Sequence, residues 1–357
     1  MQNIALNNKT VLVTGAAGFI GAALCRRLLC GDFSVRVIGL DSLTNYYDVG
    51  LKEKRLDDLI DSPSFTFVKA NIADKNALET VFEKYHPSLV VNLAAQAGVR
   101  YSIINPDAYI ESNMIGFYNI LECCRHSYET GTGVEHLVYA SSSSVYGNNE
   151  KIPYSTDDKV DHPVSLYAAT KKSDELFAHA YSKLYSIPST GLRFFTVYGP
   201  MGRPDMAYFG FADQFCAGNT VKIFNYGKCK RDFTYIDDII EGIIRVMQKA
   251  PDKKIGADGL PEAPYALYNI GNSSPEDLLE FVNILSEELI SSGVLPADFD
   301  VSAHCEFVPM QAGDVAVTYA DISALERDFG FSPSTSLRDG LRSFAKWYSQ
   351  YKNEKGK

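Results

Sequence analysis

No run of this chain stays apolar over the roughly 20 residues that a bilayer-spanning helix requires, and Met1 to Lys9 lacks the basic and apolar regions of a signal peptide. A soluble, cytoplasmic protein is therefore expected. Histidine is sparse, with 6 residues in 357, and none stands in an H-E-x-x-H or related ligand spacing, so no metal site is expected. The cysteines (Cys25, Cys30, Cys123, Cys124, Cys216, Cys229 and Cys305) are odd in number and include no C-x-x-C pair. That pattern points to reduced thiols in a cytosolic setting. Positive charge is in deficit, 34 Lys and Arg against 44 Asp and Glu, and a net charge of −10 argues against nucleic acid or an anionic membrane as the main partner. An anionic ligand would have to be met by arginines gathered at one place. Repeats and low-complexity tracts are also lacking.

What the chain does have is 46% hydrophobic residues, enough for one large core or two modest ones. Strand-like runs occur at Thr10 to Thr14, Val35 to Leu40, Phe65 to Lys69, Leu89 to Leu93, His136 to Ser141 and Thr190 to Thr196. They alternate with helical apolar spacing at Ile20 to Leu29, Asn76 to Tyr85, Ala108 to His126 and Ser165 to Leu184. Such alternation predicts an α/β fold, a doubly wound parallel sheet of Rossmann type with helices on both faces. After Gly199-Pro200 the pattern weakens and Pro251 to Pro264 reads as loop. The expected organisation is a nucleotide-binding domain over residues 1–199 and a smaller α/β substrate domain over 200–357, with the chain crossing back to the first. Ile236 to Met247 and Pro275 to Ile290 read as helices, the second capped by Ser274 with Pro275 in its first position.

The first strand runs into Gly15-Ala16-Ala17-Gly18-Phe19-Ile20-Gly21, a glycine turn that feeds a helix. Glycines here let the backbone approach a pyrophosphate resting on the helix N-terminus. The second strand ends in Asp41, near the distance at which an acid holds adenosine ribose hydroxyls. A carboxylate there repels a 2′-phosphate, so NAD is favoured over NADP. Leu93-Ala94-Ala95 places small residues at the same sheet edge, and Asn71-Ile72 is positioned to flank the adenine.

Two further features bear on chemistry. The run HLVYASSSSVYG, His136 to Gly147, ends a buried strand in consecutive serines, whose hydroxyls gain nothing from burial without a partner. Tyr167 and Lys171 lie four apart in SLYAATKK and share one helix face. The same spacing also arises on helices with no chemical role. An ammonium one turn away and a positively charged nicotinamide ring would favour a phenolate, which makes Tyr167 a candidate base and Lys171 a candidate ribose ligand. A serine hydroxyl beside Tyr167 would bridge substrate and phenolate.

Taken together, VLVTGAAGFIG, NLAAQAGVRYS, HLVYASSSSVYG, HPVSLYAATKKSDE, GLRFFTVYGPMGRPDMA and RDFTYIDDI resemble the extended short-chain dehydrogenase/reductase family, and within it the nucleotide-sugar epimerases. The likeness runs from about Lys9 to the C-terminal helix. It implies a 4-epimerase that interconverts UDP-glucuronate and UDP-galacturonate through a 4-keto sugar with tightly bound NAD, the alternative being a 4-epimerase of another UDP-hexuronate or UDP-hexose such as UDP-N-acetylglucosaminuronate. By position in the S-S-x-x-V-Y-G pattern the catalytic hydroxyl falls on Ser142, with Ser143 and Ser144 as substrate contacts. The resemblance also implies a carboxylate site completed by Thr196 and Arg203, a diphosphate ligand in Arg231, and further substrate contacts at Arg100 and Asp314. Met206 and Phe209 either wall the pocket or pack in the core.

Relatives that dehydrate the sugar carry an acid pair where this chain has Ser143 and Ser144, and relatives that decarboxylate it carry Glu in place of Ser144. The family often has Asp in place of Asn71, and often threonine in place of Ser142. Two other classes share these motifs: a net oxidoreductase that releases its reduced cofactor, and an NAD-binding scaffold, which has no need of Ser142, Tyr167 and Lys171 together. A homodimer is implied, built from the helices at Ala108 to His126 and Ser165 to Leu184.

Overall fold

The computed structural model describes residues 1–355 other than 32, 132, 258 and 311–314. Its strands, apart from two two-residue pieces, are β1 (Thr10–Thr14), β2 (Arg36–Asp41), β3 (Phe65–Lys69), β4 (Leu89–Asn92), β5 (His136–Ser142), β6 (Ser189–Phe194), β7 (Thr196–Tyr198), β8 (Val221–Ile223), β9 (Lys230–Tyr235), β10 (Tyr265–Ile270), β11 (Pro275–Asp277) and β12 (Cys305–Phe307). Seven of them form a parallel sheet in the order β10-β6-β5-β4-β1-β2-β3. The chain winds outward from β1 through β2 to β3, then returns to lay β4 on the other side of β1. That reversal opens a crevice at the carboxyl ends of β1 and β4, where such sheets take ligands.

Helices cover both faces. Apart from two short pieces at Tyr101–Ile104 and Asp107–Tyr109, the α-helices are α1 (Phe19–Cys30), α2 (Val49–Ile60), α3 (Lys75–Tyr85), α4 (Gly116–Ser127), α5 (Leu166–Tyr185), α6 (Ala207–Cys216), α7 (Ile236–Met247), α8 (Leu278–Ser291), α9 (Ser323–Phe329) and α10 (Leu337–Lys355). One face is packed by α1 and α7 through Leu24, Leu28, Ile239 and Ile243. The other is packed by α3, α4 and α5 through Leu78, Phe117, Leu121 and Ala178. A third, aromatic core joins α6, α8 and α10 through Phe209, Phe281, Phe344 and Tyr348. No described helix is long and apolar enough to cross a membrane.

Six of the seven sheet strands and most of the helices read from sequence match to within a residue or two, whereas β10, α6 and α9 were not expected. Three departures have physical causes. Helix α2 was not expected, because its buried face includes Lys52 and Arg55 beside Leu51, Leu56 and Leu59, and two cations interrupt the apolar period. The run Thr190 to Thr196 is two strands: β6 belongs to the main sheet, and past Phe195, β7 pairs with β9 in another. Pro275 does not open a helix. Pro275–Asp277 pairs antiparallel with β9 at the edge of a small sheet, where proline's missing N–H costs little, and α8 starts at Leu278 after Asp277.

Candidate active site

The glycine turn is fitted to a ligand by the absence of side chains. Gly15 sits at φ +69, and a Cβ there would lie 2.8 Å from the backbone nitrogen of Ala94 on the neighbouring strand end. A Cβ on Gly21 would lie 2.1 Å from the carbonyl oxygen of Gly15, so only glycine lets α1 start against the turn. Gly18 caps α1 without a side-chain bond, which leaves its first amides open toward the crevice. Asp41 closes the turn, accepting from the Ala17 and Leu43 amides at 3.1 and 2.8 Å.

A cavity runs over this turn and is lined by Gly15, Gly18, Phe19, Ile20, Gly21, Asp41, Asn71, Ile72, Leu93, Ala94 and Ala95, and by Tyr167 and Lys171 at its far end. Every residue expected at the cofactor is thus on one wall system. Asn71 shapes the turn there, donating to Glu111 at 2.8 Å and accepting from the Ala73 amide at 3.0 Å.

A second cavity, of about 950 Å³, lies between the sheet edge and the aromatic core. Arg100, Ser142, Ser143, Ser144, Thr196, Arg203, Met206 and Arg231 line it. Phe209 does not: it is packed against Phe344, Trp347 and Tyr348, so its core alternative is the correct one. Asp314 lies outside the described residues. Ser142, Tyr167 and Arg203 line both cavities, which therefore meet at the expected catalytic residues.

The four serines divide their labour. The Ser141 hydroxyl donates to Glu175 at 2.7 Å, and Glu175 also takes a fork from buried Arg193 at 2.7 and 2.8 Å. Burial raises the Glu175 carboxyl, but the Arg193 bonds and charge outweigh it and hold the acid below its usual range. Ser141 thus ties the wall of the cofactor cavity to the buried Glu175–Arg193 pair. The Ser142 hydroxyl accepts from the Ser144 amide at 3.1 Å, so it caps the turn of Ser143–Tyr146 and aims Ser143 and Ser144 at the larger cavity.

Tyr167 stands in the first turn of α5, whose N-terminus is capped by Ser165 accepting from the Ala168 amide at 3.1 Å. Its ring meets Tyr109 edge-on at 6.0 Å. Lys171, one turn on, is ion-paired with Asp174 at 2.9 Å, both side chains being almost wholly buried. Burial pushes Asp174 up to about 6 even though Lys171 opposes it. A π-helical turn, Ile110–Ile115, precedes α4 and places Asn113 where it bonds Gln96 N, Gln96 O and Thr170 Oγ1 at 2.8 to 3.1 Å. That side chain ties the end of β4 to the helix that carries Tyr167 and Lys171.

Several residues here carried no signal in the sequence. Lys52 lines the cofactor cavity with Nζ on Thr44 O and Oγ1 at 2.8 and 2.9 Å, and burial lowers it. Arg55 spans from the glycine turn to the loop before Arg203, and Tyr46 lines both cavities. Lys52 and Arg55 lie on the unforeseen α2. Asp205 stands two residues from Arg203, a spacing that was visible, and accepts a fork from it at 2.9 and 2.6 Å.

A glycine turn, a serine-tipped strand and a Tyr/Lys helix converging on one crevice define a nucleotide-dependent enzyme of the epimerase and dehydratase class. The chain belongs to the NAD dependent epimerase/dehydratase family, whose model matches residues 11–271. Protein CapI of Staphylococcus aureus is similar to it, 49% identical across 96% of this chain and 98% of its own. UDP-glucuronate 4-epimerase 2 of Arabidopsis thaliana is 44% identical across 98% of this chain and 78% of its own. Among solved structures, UDP-glucuronic acid 4-epimerase from Bacillus cereus, in complex with UDP-glucuronic acid and NAD, matches with a TM-score of 0.82 at 31% identity. The match covers 96% of this chain and 99% of that one.

Proposed function

We propose that this chain is a UDP-glucuronate 4-epimerase that interconverts UDP-glucuronate and UDP-galacturonate with tightly held NAD. The observation that carries the reading is the meeting of the two cavities at Ser142 and Tyr167, with Ser143, Ser144, Thr196 and Arg203 on the wall of the larger one. The names of its relatives support the same substrate.

The side-chain-free turn at Gly15 and Gly21 fits the pyrophosphate of NAD, and Asp41 suits a ribose with free hydroxyls. Bound there, NAD would supply a reversible hydride acceptor for C4 of the sugar. Tyr167 removes the C4 hydroxyl proton through Ser142 and gives it back after the keto sugar has turned over. Lys171 has ammonium donors beyond the one on Asp174 and holds the nicotinamide ribose. Arg231 binds the diphosphate that anchors the sugar, while Arg100 contacts the substrate. Ser143, Ser144, Thr196 and Arg203 hold the C6 carboxylate.

In this reading residues 1–199 hold the cofactor and residues 200–357 mainly hold the UDP-sugar. Seven free cysteines support a reducing, cytosolic setting. A homodimer is supported by apolar side chains left exposed on the outer helices, among them Ile115, Tyr118, Leu176, Leu184 and Tyr185. Proton NMR of UDP-glucuronate incubated with the purified protein and no added cofactor should show UDP-galacturonate. UDP-glucose and UDP-N-acetylglucosaminuronate run alongside identify the preferred sugar, and lack of turnover of UDP-glucuronate would remove the proposal.

A further inference from the structure

Arg203 does not stand alone in the larger cavity. Its Nε and Nη2 donate to the two oxygens of Asp205 at 2.9 and 2.6 Å, and Tyr46 donates to the same carboxylate at 3.1 Å. All three residues line the cleft, and the two charged side chains are only 22% and 28% exposed. Burial opposes charge on both, yet the pairing prevails: Asp205 lies below the usual carboxylate range and Arg203 above the usual guanidinium range. Asp205 is therefore ionised at neutral pH.

A guanidinium has five N–H donors, and a side-on fork through Nε and Nη2 leaves the end formed by Nη1 and Nη2 for a second carboxylate. A C6 carboxylate bound at that end shares one positive charge with Asp205 and is repelled by it. Such a grip is directed but weakened. Epimerisation needs that weakness, because the keto sugar must show its other face to the same nicotinamide and so carry C6 out of its first position. Every bond that holds the carboxylate before the turn must break during it, and a strong grip would lower KM at the expense of kcat.

We propose that Asp205 is a positioning residue that sets the strength of carboxylate binding, orienting Arg203 while offsetting part of its charge so that the sugar can turn. This rests on the carboxylate reading of Arg203 given above. Asp205→Asn keeps an oxygen on the fork and removes the charge. It should lower KM and Kd for UDP-glucuronate by roughly three- to tenfold, as expected for one like charge removed at short range in a partly buried site. It should lower kcat by a similar factor and raise the steady-state absorbance of reduced nicotinamide, since turning becomes slow.

Any residual turnover of UDP-glucose, which has no carboxylate, should change much less than that of UDP-glucuronate. Asp205→Ala also removes the orienting oxygens and should raise KM for UDP-glucuronate. Wild-type protein that treats UDP-glucose and UDP-glucuronate alike would overturn the carboxylate reading itself. Wild type that prefers the uronate, with Asp205→Asn raising its KM or leaving KM and kcat as they were, would overturn the role of Asp205 alone.

Discussion

Arg55 and Gly202 are joined by a 2.9 Å bond from Nη2 to the backbone oxygen, and the same guanidinium holds Ala17 O with Nη1 at 3.0 Å and Met201 O with Nε at 2.9 Å. The residue is 0% exposed, and its Nη1 also donates to Tyr47 Oη at 2.6 Å. One residue of α2 thereby ties the cofactor turn to the loop that leads into Arg203. Lysine keeps the charge but cannot span three carbonyls. Arg55→Lys should lower stability by about 2 kcal/mol or more, the cost of unmet bonds to buried carbonyls. Cofactor retained through size exclusion should fall while KM for UDP-glucuronate rises. Loss of one without the other would show that Arg55 does not couple the cavities.

Tyr167→Phe keeps the ring and its 6.0 Å edge contact with Tyr109 but removes the proposed base. Turnover should drop at least about 100-fold, the order of magnitude general base catalysis supplies. Affinity for the UDP-sugar, measured by calorimetry, should stay within about twofold, because anchoring is assigned to Arg231 and the carboxylate site. Near-normal turnover would move the proton transfer to another group.

The parallel sheet was legible because β5 and β6 are buried almost throughout, and a strand buried on both faces writes its apolar run directly into the sequence. The glycine turn and the Tyr167/Lys171 pair were legible for a related reason, since each is a local pattern on one element, whereas the choice of Ser142 among four serines came from the family resemblance. What sequence could not supply was juxtaposition. Lys52 and Arg55 face inward on bonds to Thr44, Ala17 and Gly202 that no periodicity records. The π-helical turn that brings Asn113 to Gln96 is likewise a geometric detail inside an ordinary helical pattern. Pro275 misled because its cap-like context did not reveal the partner strand at Arg231 and Asp232.

The exposed apolar side chains test the dimer. Leu176 and Leu184 lie eight residues apart on one face of α5, 58% and 70% exposed, and Ile115 and Tyr118 lie just before and within α4. A glutamate in place of Leu176 would be desolvated if a second copy covers this face. Leu176→Glu should shift the sedimentation mass from dimer to monomer. A dimer that persists would place the interface elsewhere.

Asp232 gives the chain a stability that depends on pH. Its carboxylate is wholly buried and accepts from the Asn272, Ser273 and Ala320 amides at 2.6, 3.1 and 3.0 Å, which pins the loops after β10 and before α9 to β9. Burial is the larger effect, and it raises Asp232 to about 6 despite those bonds. The sign follows from linkage. A carboxyl raised on folding binds its proton more tightly in the native state, so its stabilisation is complete below the unfolded value and is lost as pH rises through about 6. Asp232→Asn cannot titrate, so it lacks this dependence whatever its average stability. The Tm of wild type minus that of Asp232→Asn should therefore be more positive at acidic than at neutral pH, by about 2 °C for a group displaced this far. Thermal melts of both proteins on either side of that value decide the point, since a difference that shrinks on acidification would mean Asp232 is held as an ordinary, fully stabilised carboxylate.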